Sequence, residues 1–278
     1  MKDRICLVTG GNSGVGKAIA LGLAKLGAKV VILCRDKIRG SNAVDDIRSK
    51  SGNNNVDFAI ADLSMISSIR EFVDYFKQSY KGLHVLSNNA AAFPMKREET
   101  VDGIEKIFAV TYLGHFLLTN LLLDMLKESA PARIITVNGS PGILKKQRIR
   151  FEDIQFENKF SPFKAVLQSA FLKAVFTFEQ AERLRGMGVT ANTFFPGLIK
   201  SNLARNFPLY IKPFIKFAEL FFKEQSKTGV YLASSHEVEN ASGMFFKNRK
   251  PVDFYAKNYN SKVGKELWAL SERLCGIK

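Results

Sequence analysis

The residues best placed to do chemistry stand near the start of the chain. Thr9-Gly10-Gly11-Asn12-Ser13-Gly14-Val15-Gly16 follows an apolar, β-rich run, RICLVT at 4–9, and leads into a helix from about Gly14. In that context Gly10 permits a tight turn. Gly14 and Gly16 let a pyrophosphate come close to the helix N-terminus, where unpaired N–H groups and the dipole favour negative charge; Asn12, Ser13 and Val15 complete the loop. The next β-rich run, KVVILC at 29–34, ends at Arg35. In dinucleotide folds an acidic residue at that strand end binds the ribose hydroxyls, whereas an arginine accommodates a 2′-phosphate. Arg35 therefore predicts NADP(H), with Lys37 and Arg39 as helpers.

Groups suited to acid–base work are few. Tyr112 and His115 fall in an apolar helical stretch, where packing is the expected role. Lys173 is expected on an outward helix face, with the cleft as its alternative. His84 begins a strand and His236 sits in a polar segment. Neither has a Cys, Ser or Asp partner at catalytic spacing, and no metal site is expected. Cys6, Cys34 and Cys275 are odd in number and widely spaced, which fits a reduced, cytoplasmic chain without disulfides.

These residues need a scaffold, and the pattern supplies one. Apolar runs at 4–9, 29–34, 56–61, 83–88, 132–138 and 189–195 alternate with helix-period segments, including one long apolar helix near 104–127 and another over 161–184. Continuous apolar strands alternating with helices imply a parallel sheet covered on both faces. The expected fold is α/β: a doubly wound (Rossmann) parallel sheet of about seven strands in a single domain over 1–278, with a basic, aromatic lid insertion at about 200–228. At 278 residues and 46% hydrophobic content the chain can bury one such core. Lys2, Asp3 and Arg4 lead straight into the first strand, so no signal peptide is expected, and no apolar run is long enough to span a bilayer.

Several motifs recur in an order that resembles the short-chain dehydrogenase/reductase family. They are Thr9–Gly16, Asp62-Leu63, Asn88-Asn89-Ala90-Ala91 (with Ala91 where glycine is usual), Leu113–Thr119, and Pro196-Gly197 followed by Ser201-Asn202-Leu203. The tail from Gly243 through Leu267–Glu272 is similar to the retinol-dehydrogenase-like branch. The resemblance implies that Asp62 meets the adenine amino group and Leu63 its ring. Asn89, Ala90 and Ala91 would line the adenosine and ribose side, and Pro196, Gly197 and Ile199 would lie by the nicotinamide.

The same resemblance exposes a loss. The family moves a hydride to a carbonyl carbon while a tyrosine, activated by a lysine four residues later, exchanges the proton. A serine holds the substrate oxygen, and an asparagine holds a water chain. Ser140 matches the serine, but Thr111 takes the asparagine place, Val166 the tyrosine place and Ala170 the lysine place. Ser161–Ala165 before them and Phe176-Thr177, Glu179 and Ala181 after them match without a gap.

The expected function is an atypical family member that binds NADP(H) and a bulky apolar substrate. It would reduce an activated double bond or imine whose proton comes from water. The alternatives are a catalytically silent scaffold or partner subunit, and a non-redox biosynthetic enzyme using the emptied pocket. The net charge of +15, with Lys145, Lys146, Arg148 and Arg150 after the Ser140 loop and an aromatic–basic run at 207–223, suggests an acidic carrier protein or an anionic membrane surface as partner. No motif points to nucleic acid. Pairing through Leu113–Leu126 and Leu172–Leu184, as homo- or heterodimer, is what the resemblance implies.

Overall fold

Each of the six apolar runs forms a strand: β1 (Ile5–Thr9), β2 (Lys29–Cys34), β3 (Val56–Ile60), β4 (Val85–Asn88), β5 (Ala132–Val137) and β6 (Val189–Phe195). The computed structural model describes residues 1–197, 226–254, 256 and 258–277. The expected lid up to residue 225, together with Ile199 and Ser201–Leu203, lies outside them. Lys227 and Thr228, read as the end of that lid, instead begin a helix, α9 (Lys227–Ser234).

The sheet has eight strands in the order β3-β2-β1-β4-β5-β6-β7-β8. The pairs from β3 to β7 (Phe245–Lys247) are parallel, so the expected seven-stranded parallel sheet is present. An eighth strand, β8 (Lys250–Val252), adds to β7 antiparallel. Asn248 (φ 52°) and Arg249 (φ 65°) form the two-residue turn between them. Two successive left-handed residues give a turn whose twist matches that of the strands. Strands three residues long leave too little pattern to be read from sequence.

Alternation along the strands feeds two cores. Leu7, Val31 and Leu33 face α3 (Ile66–Ser79), α8 (Pro162–Arg183) and the C-terminal α10 (Ser261–Cys275). Cys6, Val8, Val30 and Ile32 face α1 (Gly14–Lys25), α2 (Lys37–Ser51) and α9. On the first face Phe176 is 2% exposed. It meets Phe116 and Trp268 at ring-centroid distances of 5.4 and 5.8 Å and Tyr112 at 6.2 Å. Phe176→Ala is expected to destabilise the protein by about 3–5 kcal/mol, read from the denaturant midpoint.

The long helix expected near 104–127 is broken. The buried Glu105 carboxylate accepts from the Ile107 and Phe108 N–H groups at 2.8 and 2.7 Å and starts the short α4 (Lys106–Phe108). A π turn (Ala109–Leu113) follows, then α5 (Gly114–Leu121) and α6 (Leu123–Glu128). Periodicity reports an apolar face and not a local change of hydrogen-bond step, so the π turn was invisible in the sequence. It sets the orientation of Val110 and Thr111 at the sheet's carboxyl edge.

Strand order fixes where a ligand sits. The chain leaves β1 toward β2 and β3, then returns on the other side of β1 as β4. The crevice outside the carboxyl ends of β1 and β4 is the topological switch point at which open α/β sheets bind ligands.

Candidate active site

A cleft of about 620 Å3 opens at that switch point. Gly10, Asn12, Ser13, Gly14 and Val15 form its floor, and Gly10 (φ 62°) and Gly14 (φ 53°) both lie in the left-handed region. Gly16, buried behind them, has no room for a side chain: a Cβ there would stand 2.6 Å from the Gly10 carbonyl oxygen and collide with the Asn89 amide. Asn89 lines the cleft, and its side chain donates to the carbonyls of Thr9 (2.9 Å) and Gly10 (3.4 Å). It clamps the glycine loop to the exit of β4. A loop whose glycines keep side chains off its backbone N–H groups at Gly10 and Gly16 fits a pyrophosphate.

Arg35 and Arg39 line the adjoining wall with Asp62 and Leu63; Lys37 does not. Asp36 caps α2 by accepting from Arg39 N at 2.9 Å, which leaves Arg35 exposed at the rim. Asp62 Oδ1 accepts from the N–H and hydroxyl of Ser64 at 2.8 and 2.7 Å, so its carboxylate also braces the turn after β3. Ala90 and Ala91 complete the β4 side. Sequence reading missed Phe93, Pro94, Lys106 and Val110 on the opposite wall. Lys106 and Val110 are i and i+4, a spacing that could have found them. Lys106 also pairs with Glu98 at 2.6 Å.

Behind the loop a buried network holds β1 and β4 together. The Thr111 carbonyl can only accept, so His115 Nδ1 carries the ring proton toward it at 3.1 Å. Nε2 then accepts from the Thr9 hydroxyl at 2.9 Å, with the Ser87 carbonyl 3.3 Å from the same hydroxyl. Thr9 Oγ1 in turn accepts from Asn89 N–H (2.8 Å) and Ala90 N–H (3.0 Å). Burial, with the nearby Lys173 charge, pushes the His115 pKa down to about 3, so it stays neutral. It is therefore more than the packing residue expected, since it tethers the β4 exit loop. Tyr112 does pack: it is fully buried, and its hydroxyl is 2.7 Å from Ser271 Oγ.

The residues expected at the reacting end do not line the walls of the cleft. Ser140 precedes α7 (Pro141–Leu144), and its carbonyl accepts from Ile143 and Leu144 N–H. Thr111 is buried, and its hydroxyl accepts from Ala92 N–H at 3.3 Å. Val166 packs with Phe160 against Ile107, Phe156 and Ala165. Ala170 packs with Leu144 and Phe245. Pro196 and Gly197 follow β6, partly exposed. Of the five described tyrosines, Tyr75, Tyr80, Tyr112, Tyr231 and Tyr259, none lines the cleft.

Lys173 corrects the sequence reading. It is 4% exposed and points inward, where Nζ donates to the Val137 carbonyl at 2.7 Å. Each side chain of an α-helix leans toward the helix N-terminus. The N-terminus of α8 lies at the carboxyl edge of the sheet, so the lysine stem carries its amine up to the last residue of β5. Desolvation pushes its pKa down to about 8.

Residues 4–149 match the family model described as short chain dehydrogenase. Retinol dehydrogenase 14 of Homo sapiens is 37% identical over 296 residues, which cover 100% of this chain and 88% of the relative. Polyprenol dehydrogenase of Homo sapiens is 35% identical over 285 residues, covering 99% of this chain and 86% of that one. A solved structure of an uncharacterised protein from Mycobacterium Paratuberculosis superposes with a TM-score of 0.79 at 30% identity, covering 100% of this chain and 95% of the other.

Proposed function

The chain belongs to the short chain dehydrogenase family, and on that premise we propose that it is an atypical oxidoreductase that binds NADP(H) and a bulky apolar substrate. The observation that carries this reading is the cleft itself, a glycine cradle with Arg35 at its rim, beside a helix α8 on which Val166 and Ala170 bring only apolar side chains to their clusters. Arg35 would pair with the 2′-phosphate. Asp62 and Leu63 would take the adenine, with Asn89, Ala90 and Ala91 along the ribose. When bound, NADPH supplies the hydride. Val166 and Ala170 offer no proton, so the substrate is one protonated by water, such as an activated double bond or an imine, with Ser140 near its oxygen or nitrogen.

An apolar substrate is favoured by Phe93 on the cleft wall and Phe163 beside it, their rings 5.4 Å apart and nearly perpendicular. Two relatives are, by name, dehydrogenases of retinol and of polyprenol. The same missing tyrosine supports a second reading, a silent scaffold that binds nucleotide and pairs with another protein. We infer an acidic carrier or an anionic membrane surface as partner, met by Lys145, Lys146, Arg148 and Arg150, and a cytoplasmic or membrane-peripheral location. No described helix is long and apolar enough to cross a membrane.

NADPH titration followed by fluorescence, then a challenge with ketones, enones and imines, separates the readings. Hydride consumption with enones or imines supports the enzyme; binding without turnover supports the scaffold. Arg35→Asp tests the cofactor separately. It is expected to weaken NADPH about 10- to 100-fold while sparing NADH, because one charge-assisted contact to phosphate is lost. Equal loss for both cofactors would count against the role of Arg35.

A further inference from the structure

Among the described residues Lys173 is a buried cation with no counter-ion. Its amine has one hydrogen bond, to Val137 O, and forms no ion pair among the described residues. Ala170, three positions earlier on the same helix face, brings no polar group to it. An unpaired buried ammonium is costly, and such groups concentrate where a ligand uses the charge.

Its position says which part of a ligand. Arg35, Ala61, Asp62 and Leu63 line the half of the cleft over β1, β2 and β3. A dinucleotide with its adenosine there and its pyrophosphate on the glycine loop must carry its second nucleoside over the ends of β4 and β5. Val137 is the last residue of β5, beside β4, so the Lys173 amine is held at the carboxyl end of β5, on the side of the sheet edge where that half would pass. The ring placed there is cationic when oxidised and neutral when reduced.

Resting on the NADP(H) reading above, we propose that the Lys173 ammonium makes the cleft select the reduced cofactor over the oxidised one, by repelling the positive nicotinamide ring. The preference exists only while the amine is protonated. Burial lowers the lysine pKa, so the charge is present below about 8 and lost as pH rises through it. Other groups around α8 do not share that window. His115 on α5 stays neutral. Tyr112 in the π turn has its pKa raised by burial and keeps its proton. Glu105 before α4 is bonded to two backbone N–H groups. On α8 itself, Glu179 pairs with Arg183 far from the cleft. On α10, Glu272 bonds the indole of Trp268. Arg133, at the opposite end of β5, donates to Leu232 O, and β6 and α7 carry no charged residue.

The test measures dissociation constants of NADPH and NADP+ for the full chain by calorimetry, at pH values well below and well above about 8. The 2′-phosphate is common to both, so its contribution cancels in their ratio. Below that pH, NADPH is expected to bind about tenfold or more tightly than NADP+, from one unit charge acting across a partly screened site. Above it the ratio should shrink. Lys173→Met and Lys173→Gln should give the small ratio at every pH, with circular dichroism verifying that each is folded. The wild-type pH series stands without either variant. A ratio near one at low pH, or a preference that survives removal of the amine, overturns the proposal while leaving cofactor binding intact. If neither nucleotide binds, the NADP(H) reading falls and this inference with it.

Discussion

Gly16→Val is expected to abolish measurable NADPH binding while leaving a folded protein. The new Cβ would stand 2.6 Å from the oxygen and 2.9 Å from the carbon of the Gly10 carbonyl. Both are backbone atoms of the cradle, so they cannot swing aside as a side-chain end would. Either α1 shifts away from the loop or the loop lifts into the cleft. The N–H groups that would face a pyrophosphate are displaced in both cases. Each such charge-assisted bond is worth about 1.5–3 kcal/mol, so losing one weakens binding about 10- to 100-fold and losing two about 100- to 10⁴-fold. Overpacking costs about 1–3 kcal/mol of stability, which thermal unfolding would register as a lower but still cooperative transition. Unchanged NADPH affinity in a folded variant would remove the glycine loop from the site.

Val166→Tyr combined with Ala170→Lys is expected to raise ketone reduction above that of the natural chain. A positioned general acid contributes about 10²- to 10⁴-fold, and a phenol with pKa near ~10 needs a neighbouring cation to work close to neutrality. Val166 is only partly buried, at the edge of a small cluster, so a larger ring has space toward solvent. Ala170 is tighter, packed against Leu144 and Phe245. A lysine there would also bring a second ammonium close to Lys173, and like charges disfavour each other. Adding Lys173→Met should therefore increase the gain. Assays with a small ketone, at saturating NADPH, read the effect directly. A folded variant that binds NADPH normally yet reduces no more ketone than the natural chain would show that residues 166 and 170 do not face the reacting atoms.

That the glycine loop, Arg35, Asp62 and Asn89 share one cleft was legible because their signals are local. A glycine loop between a strand and a helix, an arginine at the next strand end, and short motifs after β3 and β4 each occupy a few consecutive residues. Parallel pairing then brings those strand ends to one edge. The long strands were readable for the same reason: β1, β2 and β4 bury nearly every residue and read as apolar runs, and only the edge strand β3 exposes one side.

What the sequence could not decide lies where a pattern is saturated or too short. From Gln168 to Thr177 every residue of α8 is buried, so apolar periodicity no longer separates an inward face from an outward one. A long stem also lets an ammonium travel along the helix to a carbonyl that the residue's Cα does not neighbour, and this is how Lys173 came to lie inside. The π turn that orients Thr111, the neutral His115 tethered to Thr9, and the three-residue strands β7 and β8 depend on partners distant in the chain. Local sequence fixed the shape that would receive a phosphate. Packing decided that the Lys173 ammonium lies inside against Val137 O, because burial, and not residue type, determines where an amine can find its one acceptor.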